Sequence, residues 1–228
     1  MKFKNRANGT CFLSPHSDDI SMSALYVILE KVLPEPYYLF TIFSSSEYVD
    51  ISKVTEYLKD KITDTRLNED RMFSKALDMT FLHLKEPDCL KRLGFVIYDS
   101  KQNISSSYVE RLSNFVALKI KSYEISNIVV PYPFGEKQHY DHRITRCVAE
   151  KLSNNLEINL YYLDDIPYSV IDFCDNLEIC YKKELNYSDI VHKIQFMDIY
   201  KSQMCDYFYE RVKIFNKERI LKNKWKNC

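Results

Sequence analysis

Three glycines in 228 residues limit this chain more than any other feature of its sequence. Gly9, Gly94 and Gly135 stand far apart. Dinucleotide fingerprints, phosphate loops and nucleophile elbows all need clustered glycines, because the backbone there must turn tightly or approach a phosphate. None of the three can be built from this sequence. Lys+Arg and Asp+Glu both total 32, so no whole-molecule field attracts nucleic acid, and no nucleic-acid partner is expected. Hydrophobic residues make up 46%, enough for a packed core and too many for a disordered chain.

The seven cysteines are odd in number and form no CxxC. Cys174 and Cys180 are too far apart for a zinc-ribbon knuckle. Small buried hydrophobes in a reducing compartment are the expected reading. The N-terminus lacks a long apolar core, so no signal peptide is expected. The most apolar stretch, Ala24 to Leu33, contains Glu30 and Lys31 and is too short to span a bilayer. These features predict a cytoplasmic protein with no transmembrane segment. A homo-oligomer is left open.

Apolar runs alternate with helix-period segments. Thr10–Ser14, Tyr37–Ser44, Phe81–Leu84, Asn127–Pro131 and Leu160–Leu163 read as strands. Helices are expected over Asp19–Leu33, Thr65–Met79 (with Thr65 as N-cap), Ser106–Ser122, Asp141–Ser153 and Val191–Tyr207. Such alternation predicts an α/β fold, a Rossmann-like three-layer sandwich with a mostly parallel sheet, forming one domain over 1–228. The stretch 211–228 is rich in Lys and Arg and reads as a solvated basic tail, helical if it is ordered.

Three of the five histidines fall in two polar clusters, each just after a strand. One is Ser14-Pro15-His16-Ser17-Asp18-Asp19 and the other is His139-Tyr140-Asp141-His142. Both land at the carboxyl edge of the sheet, where α/β ligand sites form. His16 and Asp19 are three apart, as are His139 and His142, so each pair can share a face. Two histidines and one carboxylate suit Zn²⁺ or Fe²⁺ and leave positions open for water and substrate. Asp18 must point away from Asp19 and is free to take a proton from the attacking water. One histidine of the second pair would bind the ion and the other would face the reacting carbonyl, with Asp141 orienting it. His83, in an apolar strand, reads as a satisfied core histidine. Arg66 and Glu69 read equally as a binding pair or as a surface ion pair.

These motifs resemble the LmbE/PIG-L family of metal-dependent N-acetylglucosamine deacetylases. The family's Pro-His-Pro-Asp-Asp-Glu motif is similar to Pro15-His16-Ser17-Asp18-Asp19-Ile20, and its His-Pro-Asp-His is similar to His139-Tyr140-Asp141-His142. An Arg-x-x-Glu helix resembles Arg66-Leu67-Asn68-Glu69, followed by an Asp similar to Asp88. Tyr161 to Pro167 and Tyr200-Lys201-Ser202-Gln203 resemble its later segments. The resemblance implies that His16, Asp19 and His142 hold a divalent ion, usually zinc, and that Asp18 is the general base. It implies that His139 stabilises the oxyanion or protonates the leaving amine, with Asp141 behind it. Arg66 would contact the sugar or its substituent, and Asp88 would bind a hydroxyl. The implied activity is removal of an N-acetyl group from a small amino-sugar substrate or its glycoside. An amidase acting on another N-acyl compound and a catalytically inactive carbohydrate-binding homologue are the alternatives. Ile20 replaces the motif's Glu, and Tyr140 replaces a proline, so the pocket walls should differ while every ligand is kept.

Overall fold

The computed structural model describes residues 9–48, 61–169 and 176–224. Cys174, Cys228 and the end of the basic stretch lie outside the described residues. The first strand, β1 (Gly9–Ser14), is buried along its whole length. It lies between β2 (Tyr37–Thr41) and β4 (Ile125–Tyr132), both parallel to it. With β3 (Thr80–His83), β5 (Asn159–Asp164), β6 (Leu177–Glu184) and β7 (Lys217–Asn223) the sheet order is β3-β2-β1-β4-β5-β7-β6. The first five strands in that order are parallel. β7 runs antiparallel to β5, and β6 antiparallel to β7.

Alternation along the central strands builds two cores. Cys11, Leu13, Phe40, Ile128 and Val130 face one side. There they meet Leu112, Val116 and Ile120 of α5 (Ser106–Ser122) and Val148, Ala149 and Leu152 of α6 (Tyr140–Leu156). Phe12, Leu39, Val129 and Leu163 face the other. They meet α1 (Asp19–Ser23), α2 (Leu25–Leu29), α3 (Ile62–Ala76), α7 (Tyr187–Met197) and α8 (Asp206–Ile214) through Ile20, Val27, Phe73, Met197 and Val212. The fold is therefore the expected helix–sheet–helix sandwich. The chain leaves β1 toward β2 and later returns to its other side as β4. This reversal opens a crevice beyond the carboxyl ends of β1 and β4.

Several boundaries differ from expectation. The helix expected over Asp19–Leu33 is broken at Ala24 (φ −142°, ψ 16°). A carboxylate from β7 explains the break: Glu218 accepts hydrogen bonds from the backbone N–H groups of Tyr26 (2.8 Å) and Val27 (3.2 Å) at the start of α2. α3 begins at Ile62, so Thr65 lies inside it and is not its N-cap. The helix expected through Tyr207 stops at a 3-10 turn, Asp198–Tyr200. The expectation of a solvated tail from 211 is corrected by β7, an interior strand with Glu218, Arg219, Ile220 and Leu221 buried. Its basic composition misleads because the charges are met locally: Arg219 forms a two-pronged pair with Asp164. Gly94, at φ +80°, caps the short helix α4 (Cys89–Leu93) in the left-handed conformation that glycine adopts without strain. Among the described residues, no helix is long and apolar enough to cross a membrane.

Candidate metal centre

The turn after β1 and the first turn of α6 meet in the crevice. Asp19, the first residue of α1, accepts a hydrogen bond from the backbone N–H of His16 at 2.8 Å. Its Oδ2 lies 3.4 Å from His16 Nδ1 and 3.4 Å from His142 Nε2. The two ring nitrogens are 3.2 Å apart. A tetrahedral ion with bonds of about 2.0–2.1 Å has ligand atoms separated by about 3.3 Å. The three donors therefore have the spacing of three corners of such a shell, and the residues fit a divalent ion.

The outer nitrogen of each ring selects the tautomer. His16 Nε2 lies 3.1 Å from Asp141 Oδ2, and His142 Nδ1 lies 2.6 Å from Asp165 Oδ1. Each of those nitrogens donates to its carboxylate, which leaves the inward lone pair on Nδ1 of His16 and on Nε2 of His142. Burial opposes charge on both rings, but the facing carboxylates outweigh it. The His16 pKa is pushed up to about 10 by Asp141 and Asp19, and that of His142 is raised by Asp165 and Asp19. A cation at the convergence point competes for these same lone pairs.

The structure corrects one expected contact. Asp141 does not stand behind His139. Its side chain bonds to His16, to the backbone N–H of Cys89 (2.7 Å) and to Arg92 Nη2 (2.6 Å). At a helix start, residues two apart face different ways. His139 is instead the N-cap of α6, its Nδ1 accepting from the Asp141 backbone N–H at 3.2 Å. That bond leaves the proton on Nε2. Burial, then the neighbouring His142 and His16, lower the His139 pKa well below its ordinary value, so the ring is neutral. The ring-nitrogen donors of His16, His139 and His142 all lie within 4.8 Å of one another.

Asp18 is the N-cap residue of α1 by position, yet its side chain makes no capping bond. It lines a cavity of about 380 Å³ together with His16, Arg66, His139 and Asp141. Burial, then the charge of Asp19, raise its pKa to about 7. Arg66 also reaches the cavity wall and donates from Nη2 to the Tyr48 carbonyl at 3.0 Å. It makes no surface ion pair with Glu69. Both residues are buried, and the Glu69 carboxylate accepts from Ser202 N–H (2.8 Å) and Oγ (2.6 Å). Asp88 is at the cavity wall too, but it serves as the cap of α4. One oxygen accepts from Lys91 N–H at 2.8 Å and the other from the Ser46 hydroxyl.

Asp165, which bonds to His142, and Arg92, which bonds to Asp141, were not singled out by sequence. An acidic residue at the end of the strand beside β4 was the available signal for Asp165. Arg92 had none, because α4 is one turn of helix that sequence reasoning did not find.

No family model matches the sequence, and no curated protein matches it. Solved structures do. The zinc-inhibited form of teicoplanin deacetylase Orf2 is similar over 96% of this chain and 99% of its own, at 14% identity and a TM-score of 0.71. N,N'-diacetylchitobiose deacetylase from Pyrococcus horikoshii, solved with an inhibitor, is similar over 93% of this chain and 76% of its own, at 16% identity and a TM-score of 0.55. The 4-carboxy-2-hydroxymuconate hydratase GalB of Pseudomonas putida is similar over 91% of this chain and 84% of its own, at 13% identity and a TM-score of 0.55. A hydratase among these neighbours means that the reaction has to be argued from the side chains. The likeness nonetheless covers nearly the whole chain, and the chain has the fold of these deacetylases.

Proposed function

We propose that this protein is a metal-dependent hydrolase that removes the N-acetyl group from an amino sugar or its glycoside. The observation that carries the reading is the triangle of His16 Nδ1, His142 Nε2 and Asp19 Oδ2, with sides of 3.2, 3.4 and 3.4 Å, beside a cavity. Two imidazoles and one carboxylate are the donor set of a catalytic zinc site, and Fe²⁺ is compatible with it. A divalent ion held there polarises a carbonyl and lowers the pKa of a bound water to about 7.

The remaining roles belong to the chain. Asp18, uncommitted to capping, takes a proton from water as its oxygen bonds to the acetyl carbon. His139 Nε2–H donates to the carbonyl oxygen as negative charge develops there; a neutral ring serves this role as a donor. The C–N bond then breaks, acetate departs, and the proton held by Asp18 passes to the amine. Asp141 and Asp165 hold the rings of His16 and His142 in register, with Arg92 clamping Asp141. The cavity, whose wall includes Arg66 and Tyr168, accepts the sugar. A cytoplasmic setting agrees with Cys11, Cys89, Cys147, Cys180 and Cys205 all being free thiols.

The test is acetate release by zinc-loaded protein from a panel of N-acetyl amino sugars and N-acetyl amino acids. Turnover of the sugars supports the reading. Turnover confined to amino acids assigns another substrate to the same site. Binding without turnover of any member leaves a carbohydrate-binding homologue.

A further inference from the structure

Two buried donors on the cavity wall lack partners among the described residues: Arg66 Nε and Gln203 Nε2. Both side chains are 3% exposed. A buried donor without an acceptor costs about 1–3 kcal/mol, so such groups call for a ligand atom or an ordered water. Gln203 takes no part in the hydrolytic steps above. Its placement is nevertheless fixed with care. Glu69 of α3 accepts from the backbone N–H and hydroxyl of Ser202. Asp70, the next residue of α3, accepts from the Tyr200 hydroxyl at 3.0 Å. The helix that carries Arg66 thus grips the segment that carries Gln203 on both sides of Lys201.

We infer that Gln203 is a specificity-determining residue that, beside Arg66, hydrogen-bonds a ring hydroxyl of the substrate. This rests on the amino-sugar reading above and assigns a residue to the recognition of its ring hydroxyls. The charges present favour a hydroxyl over a carboxylate or phosphate. Asp18 and Glu69 both lie within electrostatic reach of Arg66, so its charge is already faced by two carboxyl groups. A primary amide can donate to a hydroxyl oxygen or accept from its hydrogen, which matches either orientation of the group.

The experiment compares glucosamine with cyclohexylamine, two amines of one ring size that differ in hydroxyls. Calorimetry on zinc-loaded wild type, Gln203→Met and Gln203→Ala measures their binding, and acetate release from N-acetylglucosamine is followed in parallel. Gln203→Met keeps the volume and removes the hydrogen bonds, and zinc stoichiometry reports that each variant has an intact centre. The expected result is that Gln203→Met weakens glucosamine about tenfold, the upper worth of one neutral hydrogen bond, and leaves cyclohexylamine unchanged. Acetate release should show the same change in KM rather than in kcat. Equal weakening of both amines, unchanged glucosamine binding, or no glucosamine binding by wild type overturns the inference. Glucosamine binding that depends on Gln203 without any acetate release upholds it and overturns the deacetylase reading instead.

Discussion

Two histidines of this chain, both with buried side chains, bond to buried aspartates in nearly the same way, and His142 also turns its second ring nitrogen toward the His16–Asp19 cluster. His83 Nε2 and Asp70 Oδ2 are 2.5 Å apart, and His142 Nδ1 and Asp165 Oδ1 are 2.6 Å apart. Asp70 also accepts from Thr41 Oγ1 at 2.8 Å and from the Tyr200 hydroxyl at 3.0 Å. One carboxylate there ties β2, β3, α3 and the 3-10 turn together. At His142 the second ring nitrogen faces His16 Nδ1 and Asp19 Oδ2. A buried histidine–aspartate pair is therefore not a functional signature. What marks out His142 is that its second nitrogen meets another imidazole and a carboxylate, and that follows from the sheet: β3 is an edge strand, whereas α6 begins where the chain reverses between β1 and β4.

The comparison can be broken most severely at the ligands. His142→Ala should abolish both metal content and acetate release, whereas His83→Ala should retain one ion per chain; metal analysis and turnover of the two variants decide it. Asp18→Ala comes next: kcat should fall about 10²–10⁴-fold with the ion still bound. Loss of metal in that variant would mean that Asp18 is a ligand and not the base. Asp165→Ala should weaken zinc about 10–100-fold in a competitive chelator titration, because His142 loses the partner that sets its tautomer. Unaltered affinity would make the Asp165 contact incidental. The smallest functional effect is expected at His83. Its alanine variant should lose about 1–3 kcal/mol of stability in denaturant unfolding, from leaving buried Asp70 with one partner fewer. A comparable loss of zinc affinity would join the two clusters into one functional unit.

Much of this was legible in the sequence where the signal was local. Two polar clusters, each just after an expected strand, predicted the place where the structure brings His16, Asp19 and His142 together, because the end of a buried parallel strand is also the edge of the sheet. The unbroken apolar run Tyr37–Ser44 predicted a strand buried on both faces, and Tyr37–Thr41 is buried at every position. Pairings between distant segments were not legible. Asp141 adjoins His139 closely in sequence but bonds to His16, 125 residues away. The basic C-terminal stretch hid an interior strand because Lys217 and Lys222 flank the buried Glu218-Arg219-Ile220-Leu221 run. Within that run, Glu218 is neutralised by the fully buried Lys193 at 2.6 Å. Composition counts those charges as solvated, and only the tertiary structure pairs them. The segment Tyr200-Lys201-Ser202-Gln203 carries no local signal for a role of Gln203, because a missing partner is visible only once the cavity exists.

The claim on which the rest depends is that His16, Asp19 and His142, and not His139, grip one cation. Zinc titration of metal-free protein tests it directly, using the four single alanine variants. The account predicts one equivalent bound by wild type and by His139→Ala, and none by His16→Ala, Asp19→Ala or His142→Ala. Retention of zinc by Asp19→Ala together with its loss from His139→Ala would contradict it and assign the ion to three imidazoles.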